Sequence, residues 1–249
     1  DCGKVTTQEY AVDKATKLET IYNRIHEIRT RFEIMIRDAQ VRCLEGKIAG
    51  AEDSSALETA RDAEIERLRD EFSFVAACNR GGEFMDAADL TRLQEISART
   101  WLRHLDDSIG LSEDETKRRA SRPVVDLPVA EALLADRQDH IVHRVASNPF
   151  GDNRWGFRID VPEHLYNHGE IYNLGIERGT LTPEERFKIN DHVIQTIIML
   201  EQLPFPDNMK RVPEYAGGHH ETMVGTGYPR KLSKDDMSIP ARIMAIADI

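Results

Sequence analysis

The sequence predicts an all-α protein, and two observations support this fold class. Apolar residues recur three and four positions apart through most of the chain, the spacing that lines one face of an α-helix. No segment alternates apolar and polar residues for long, as a half-buried strand does. With 249 residues, of which 40% are hydrophobic, the chain can bury a substantial core.

The first predicted helix has two interpretations. Its apolar residues are spaced like the core positions of a coiled coil and are Leu18, Ile21, Ile25, Ile28, Phe32 and Met35. The helix either packs on its own domain or pairs with the same helix of a second protomer, which predicts a homodimer. The stripe is shorter than the three or four heptads that identify a coiled coil, so both interpretations stay open.

Helix signals continue through the middle of the chain. A second helix carries Ile65, Leu68, Phe72 and Val75 on one face and ends near Gly81. A third helix is predicted over residues 87–108, and Ser112 and Glu115 form a capping box for the next one. Prolines and glycine then break the pattern over residues 122–160. We interpret that stretch as an insertion or irregular connector containing a helix over residues 128–143.

The last third of the chain has the clearest boundaries. Thr182 and Pro183 begin a helix that carries His192. Another helix begins at Asn208 and leads through Gly217 and Gly218 to His219, His220 and Glu221, and a glycine-rich loop follows. A final helix begins at Ile239.

Composition excludes some classes of function. The formal charge of −11 argues against DNA as a partner, because a polyanion is held by a basic surface. No apolar run is long enough for a membrane span. The cysteines Cys2, Cys43 and Cys78 lie far apart without metal-binding spacing, so we expect a reducing, cytoplasmic location.

Four residues with metal-binding side chains fall on three predicted helices, and they are His192, His219, His220 and Asp248. Imidazole and carboxylate groups that face one another across a helical core commonly hold first-row metals. Successive helix residues point about 100° apart, so one histidine of the adjacent pair can face a metal while the other faces a second metal, a ligand or another helix. These residues predict a metal site.

Three sequence blocks resemble the end of an HD-GYP domain. They are LTPEE at residues 181–185 followed by His192, HHETMVGTGYP at residues 219–229, and IPARIMAIAD at residues 239–248. A weaker match begins near residue 90. The resemblance implies a helical HD-type bundle over residues 86–249, preceded by a helical linker or dimerisation region over residues 1–85. The family continues into another helix, so we expect a truncated C-terminus.

HD-GYP domains hydrolyse cyclic di-GMP, a bacterial second messenger, with two or three metal ions. The resemblance places His192, His219, His220 and Asp248 at ligand positions and implies iron or manganese as the cofactor. In the family the loop that corresponds to Gly225–Pro229 borders the substrate and is implicated in protein contacts. We therefore expect Tyr228 to bind substrate and the loop to contact a signalling partner. Just beyond the loop, Arg230 and Lys231 are expected to bind the substrate phosphate, with an acidic partner surface or a solvated basic turn as the alternatives.

The His-Asp pair that names the family is absent. The family pattern His-Asp-x-Gly-Lys is matched here by Tyr166, Asn167, His168, Gly169 and Glu170. The neutral amide of Asn167 cannot offset the repulsion between two cations as a bridging carboxylate does. Glu170 in place of lysine adds repulsion toward an anionic substrate. Ile96 and Val224 also stand where histidine and aspartate are usual.

A rebuilt metal site is the competing expectation for this segment. Its candidate ligands are Glu163, His164, His168 and Glu170. His164 and His168 are four residues apart, so on a helix they would share a face and could chelate one metal. The alternative is a polar surface turn.

Together these features predict a degenerate output domain of a bacterial cyclic di-GMP signalling protein. It would bind a partner protein or a cyclic dinucleotide with weak or no hydrolysis, hold one metal ion or none, and have no assigned catalytic residue. The alternative is an active metal-dependent phosphodiesterase with a rearranged site. A purely structural helical adaptor is disfavoured because four ligand-type residues stay in register.

Overall fold

The computed structural model describes residues 24–50, 53–81, 85–145 and 149–248. Within these residues the protein is mostly helical, as predicted, with only short strands. No helix of the described residues is long and apolar enough to cross a membrane. Leu18 and Ile21 of the predicted stripe, and Cys2, lie outside the described residues.

The helices in chain order are α1 Ile25–Ile48, α2 Ser54–Arg80, α3 Ala87–Ser97, α4 Glu113–Arg119, α5 Glu170–Leu174, α6 Pro183–Glu201, α7 Val212–Gly217 and α8 Ile239–Ala247. The strands are β1 Thr100–Arg103, β2 Val129–Ala132, β3 Ile141–His143 and β4 His164–Asn167. Short 3-10 turns cover Gln138–His140, Asp207–Met209 and Lys234–Asp236.

The described residues form two compact units. We call residues 24–142 with Asn167–Thr182 the helix-pair unit, and His143–Tyr166 with residues 183–248 the histidine unit. The predicted division into residues 1–85 and 86–249 follows the family resemblance rather than compactness, and it stays a prediction.

The apolar stripe of α1 packs inside the helix-pair unit. Ile28, Phe32 and Met35 are buried in one cluster with Leu68 and Val75 of α2. Phe32 also meets Phe72 edge to face, with 5.4 Å between the ring centroids. The described part of α1 therefore follows the first interpretation, a helix that packs on its own domain. The homodimer stays a prediction.

Two helix predictions are wrong, one over part of its length and one entirely. The helix expected over residues 87–108 ends at Ser97, and the helix expected over residues 128–143 is absent. Instead β1 pairs antiparallel with β2, with Trp101 opposite Glu131. The pairing joins segments about thirty residues apart, so local spacing could not reveal it.

The histidine unit has its own core around α6. The helix begins at Pro183, as predicted, and places Phe187, Val193, Ile194 and Ile197 in the core. Phe150 and Phe157 complete this core, so part of the expected insertion supplies packing rather than a loop. The helix expected from Asn208 through His219 and His220 is instead a 3-10 turn followed by the short helix α7, which has Pro213 in its first turn, where a missing N–H costs little. Because α7 ends at Gly217, His219 and His220 lie in the turn after it rather than on a helix.

Candidate metal centre

Two adjacent glycines allow three helices to approach closely. A Cβ on Gly217 would lie 2.6 Å from Cγ1 of Ile197 on α6. A Cβ on Gly218 would lie 3.2 Å from the Cβ of Ala241 on α8. Because no side chain intervenes, the end of α7 packs directly on both neighbours, which brings the following histidines to His192.

The structure brings three predicted ligands together. One ligand nitrogen from each of His192, His219 and His220 lies within 4.8 Å of the other two. Nε2 of His220 is 3.2 Å from Nε2 of His192. Two metal–nitrogen bonds of about 2.1 Å at a tetrahedral angle end roughly 3.4 Å apart, so this spacing suits two ligands of one ion. We call these residues the histidine triad.

Hydrogen bonds fix which nitrogen of each ring is available. Nδ1 of His192 donates to the carbonyl of Ile189, and Nδ1 of His219 donates to the carbonyl of Ala216. A carbonyl oxygen only accepts, so each of these rings carries its proton on Nδ1 and keeps a lone pair on Nε2. Orientation of this kind is typical of metal-binding histidines.

Asp248 completes the arrangement from the end of α8. Its Oδ2 lies 3.3 Å from Nδ1 of His220, which leaves Nε2 of His220 to face His192. Burial, reinforced by the charge of neighbouring His219, lowers the pKa of His220. A histidine must be in its neutral form to bind a metal ion, so the lowered pKa of His220 favours metal binding. The donor set fits a divalent first-row metal.

Glu221 and Tyr228 connect the glycine loop to the triad. The Tyr228 ring stacks on the His220 ring at 4.8 Å between centroids. Glu221 is 4% exposed, and its carboxylate accepts hydrogen bonds from the backbone N–H groups of Arg230 and Leu232. Burial, with a smaller contribution from the charge of Asp248, raises the pKa of Tyr228.

The two basic residues beyond the loop already have partners inside the histidine unit. Arg230 donates to the carbonyl of Trp155 at 2.9 Å and lies 3.7 Å from the carboxylate of Glu201. Lys231 lies 3.8 Å from the carboxylate of Asp160. Their expected role in substrate binding stays a prediction, and it would require these partners to be exchanged.

The helical spacing that suggested a rebuilt site is not formed. His164 lies on strand β4, which ends at Asn167, and His168 lies between that strand and α5. The two histidines therefore do not share a helix face, because their segment pairs as a strand rather than coiling. Glu163 precedes β4, and its role as a ligand stays a prediction.

Glu170 has a structural partner that the sequence did not reveal. Arg31 of α1 donates to Glu170 Oε2 at 2.9 Å, and the Ala135 N–H donates to the same oxygen at 2.9 Å. Burial is the largest single influence and raises the pKa of Glu170, but Arg31, the Ala135 N–H and the charge of Arg24 together hold that pKa below its usual value. The negative charge expected to repel substrate is thus buried and compensated. Arg31 is 139 positions away, so no local signal could have identified it.

The chain belongs to the HD domain family. The family model matches residues 119–249, more than half of the chain. This range contains the histidine triad, Asp248 and the glycine loop.

Three curated proteins of Vibrio cholerae serotype O1 are similar to parts of this chain. The 3'3'-cGAMP-specific phosphodiesterase 1 is 32% identical over 103 residues, which cover 38% of this chain and 23% of that protein. A probable cyclic di-GMP phosphodiesterase is 34% identical over 82 residues, 31% of this chain and 19% of that protein. The 3'3'-cGAMP-specific phosphodiesterase 3 is 39% identical over 87 residues, 32% of this chain and 18% of that protein.

The matched part of the chain thus spans about a fifth of the length of these curated relatives. No solved structure matches the chain.

Proposed function

We propose that this chain binds a cyclic dinucleotide through a divalent metal ion at the histidine triad, with weak or no hydrolysis. The observation that carries the proposal is the convergence of three imidazole nitrogens within 4.8 Å. The names of the three relatives support cyclic di-GMP or 3'3'-cGAMP as the ligand class. The protein carries a net charge of −11, so a bound cation would supply the local positive charge that a phosphodiester needs.

Weak turnover is supported by the segment that matches the family's His-Asp pair. The Asn167 side chain carries no charge, and its Oδ1 accepts a hydrogen bond from the Gly169 N–H at 2.8 Å. Glu170, which stands where the family has lysine, forms an ion pair with Arg31 at 2.9 Å. A divalent ion, when bound, supplies Lewis acidity toward a phosphate oxygen. The chain contributes the three imidazoles that would hold it. Asp248, which the sequence predicted as a fourth ligand, contacts Nδ1 of His220 in this structure and would orient that imidazole.

A protein partner at the loop from Gly225 to Pro229 belongs to the same proposal. Val224, directly before the loop, is 79% exposed, and Met223 is 47% exposed. Exposed apolar side chains beside a rigid turn suit a protein contact.

The second candidate is an active phosphodiesterase with a rearranged metal site. It is favoured by a second histidine pair in the histidine unit, where the rings of His143 and His164 meet edge to face at 5.6 Å. Nδ1 of His164 is buried and has no hydrogen-bond partner among the described residues. This nitrogen is therefore available as a ligand.

Elemental analysis of the purified chain, with hydrolysis of cyclic di-GMP and 3'3'-cGAMP in added iron or manganese, tests both candidates. We expect at most one metal per chain, lost in His192→Ala and His220→Ala because each removes a converging nitrogen. His104→Ala, which changes an exposed histidine of the helix-pair unit, is the matched control and should keep its metal. Nucleotide binding without a linear product supports the proposal, whereas two metals with product formation supports the second candidate.

A further inference from the structure

We infer that Tyr228 is a positioning residue for the metal centre. Its ring holds the His220 imidazole in the plane that directs Nε2 toward His192, and Glu221 holds the loop that carries Tyr228. This inference rests on the proposed metal function of the histidine triad. It gives the loop a role other than direct contact with substrate.

The His220 ring is held in two complementary ways. The contact between its Nδ1 and Asp248 Oδ2, at 3.3 Å, sets the direction of the ring within its own plane. The Tyr228 ring lies against its face, with 23° between the ring planes, and sets the orientation of that plane. A hydrogen bond alone would allow the imidazole to rotate about the bond. With both contacts, Nε2 has one direction.

The backbone of the loop is fixed to the segment that carries His220. The Tyr228 N–H donates to the carbonyl of His220 at 3.2 Å. The two carboxylate oxygens of Glu221 each accept one backbone N–H, from Arg230 at 2.6 Å and from Leu232 at 2.8 Å. A buried carboxylate that binds two backbone donors is costly to replace, because each donor would be left unpaired.

Gly227 allows the loop to lie directly on that segment. A Cβ at this position would come within 2.5 Å of Glu221 Cα and of Thr222 N, and within 2.6 Å of the His220 carbonyl oxygen. These are backbone atoms and cannot rotate away. Only glycine lets Tyr228 follow immediately and still reach the imidazole.

Tyrosine variants separate positioning from ligand contact. Positioning depends on the flat ring, which Tyr228→Phe keeps and Tyr228→Leu removes while filling most of the same space. A contact through the hydroxyl would instead be lost in Tyr228→Phe. Glu221→Ala removes the acceptor of both loop N–H groups and leaves Tyr228 in the chain.

The experiment is a titration of the metal-free full chain with cobalt(II), whose absorption bands report the ligand geometry. We expect Tyr228→Phe to stay within about twofold of the unmodified affinity. Tyr228→Leu and Glu221→Ala should lose about tenfold or more, as for other groups that orient metal ligands. Unfolding of each metal-free variant is measured in parallel to confirm that it is folded. Should Glu221→Ala be unfolded, Tyr228→Leu decides.

The outcomes are distinct. If the unmodified chain binds no cobalt, the proposed metal function fails, and this inference fails with it. If the unmodified chain binds cobalt and Tyr228→Leu binds it equally well, only this inference is overturned. A tenfold loss in Tyr228→Phe also overturns it, since the hydroxyl rather than the ring would then be required.

Discussion

The histidine triad and the surroundings of Glu170 use similar side chains in opposite ways. In the triad, Nδ1 of each ring is held by a carbonyl or by Asp248, and Nε2 is left to converge with its neighbours. The Glu170 carboxylate, by contrast, is paired with Arg31 and accepts a hydrogen bond from the Ala135 N–H, so it serves as a structural contact of the fold. Residues that can bind metal are therefore available only where their structural partners leave an atom free.

His140, in the helix-pair unit, resembles Glu170 in that its side chain is used by hydrogen bonds of the fold. Its Nδ1 accepts a hydrogen bond from the Arg137 N–H, and its carbonyl accepts one from the His168 N–H. Burial, together with the charge of Arg137, lowers the pKa of His140 to about 4. This histidine supports the fold as a neutral acceptor rather than as a ligand.

The largest expected effect comes from breaking the buried pair of Arg31 and Glu170. Arg31→Met leaves an uncompensated buried carboxylate, so we expect the free energy of unfolding to fall by about 3–5 kcal/mol. The double variant R31M/E170Q should lose less than Arg31→Met alone, because the amide removes the charge and still accepts from Ala135. Urea unfolding of both variants measures the difference.

The control for this pair is Arg69→Met, which breaks the exposed pair of Arg69 and Glu66 on α2. It should change the free energy of unfolding by less than about 1 kcal/mol. Equal costs for Arg31→Met and Arg69→Met would contradict the view that Glu170 is a structural anchor.

A smaller effect is expected from Gly217→Ala in the histidine unit. The new methyl group would overlap Ile197, which is fully buried, so we expect a loss of about 1–3 kcal/mol in the free energy of unfolding. Because the overlap separates α7 from α6, cobalt affinity should fall as well. Combining the change with Ile197→Ala should cost less than the sum of the two single variants, as measured by urea unfolding. Strict additivity would show that the new methyl group does not overlap Ile197, and an unchanged cobalt affinity would show that the close approach of these helices does not hold the triad together.

The smallest effect is the pH dependence that His140 confers. Its pKa is about 4 in the folded protein and near 6.5 when unfolded, so the unfolded chain binds more protons between these values. The contribution of His140 to the free energy of unfolding is complete above pH 6.5 and is lost as the pH falls toward 4. When the pH is lowered from 7 to 5, we expect the free energy of unfolding of the unmodified protein to fall by roughly 1–2 kcal/mol more than that of the His140→Gln variant. Parallel urea curves at the two pH values test this, and identical losses would rule out the shift.

Local sequence signals predicted the ends of several elements but not the strands. The Ser112–Glu115 capping box and the start of α6 at Pro183 are both confirmed, because caps act within one helical turn. The strands β1 and β2 were not predicted, because their backbone hydrogen bonds join segments about thirty residues apart and leave no local pattern. The same limit applies to Glu170. Its charge is expected from the sequence to repel an anionic substrate, but the structure pairs it with Arg31, 139 positions away.

The mostly helical fold class, the HD family membership and the residue types of the triad follow from the amino-acid sequence alone. The meeting of His192, His219 and His220 was expected from their placement on different predicted helices and from the family resemblance, which puts each at a ligand position. The folded structure was needed to show which nitrogen of each imidazole faces the other histidines and that Glu170 is buried and paired with Arg31. Both features depend on hydrogen-bond partners and burial, which are properties of packed neighbours and are absent from the local order of residues.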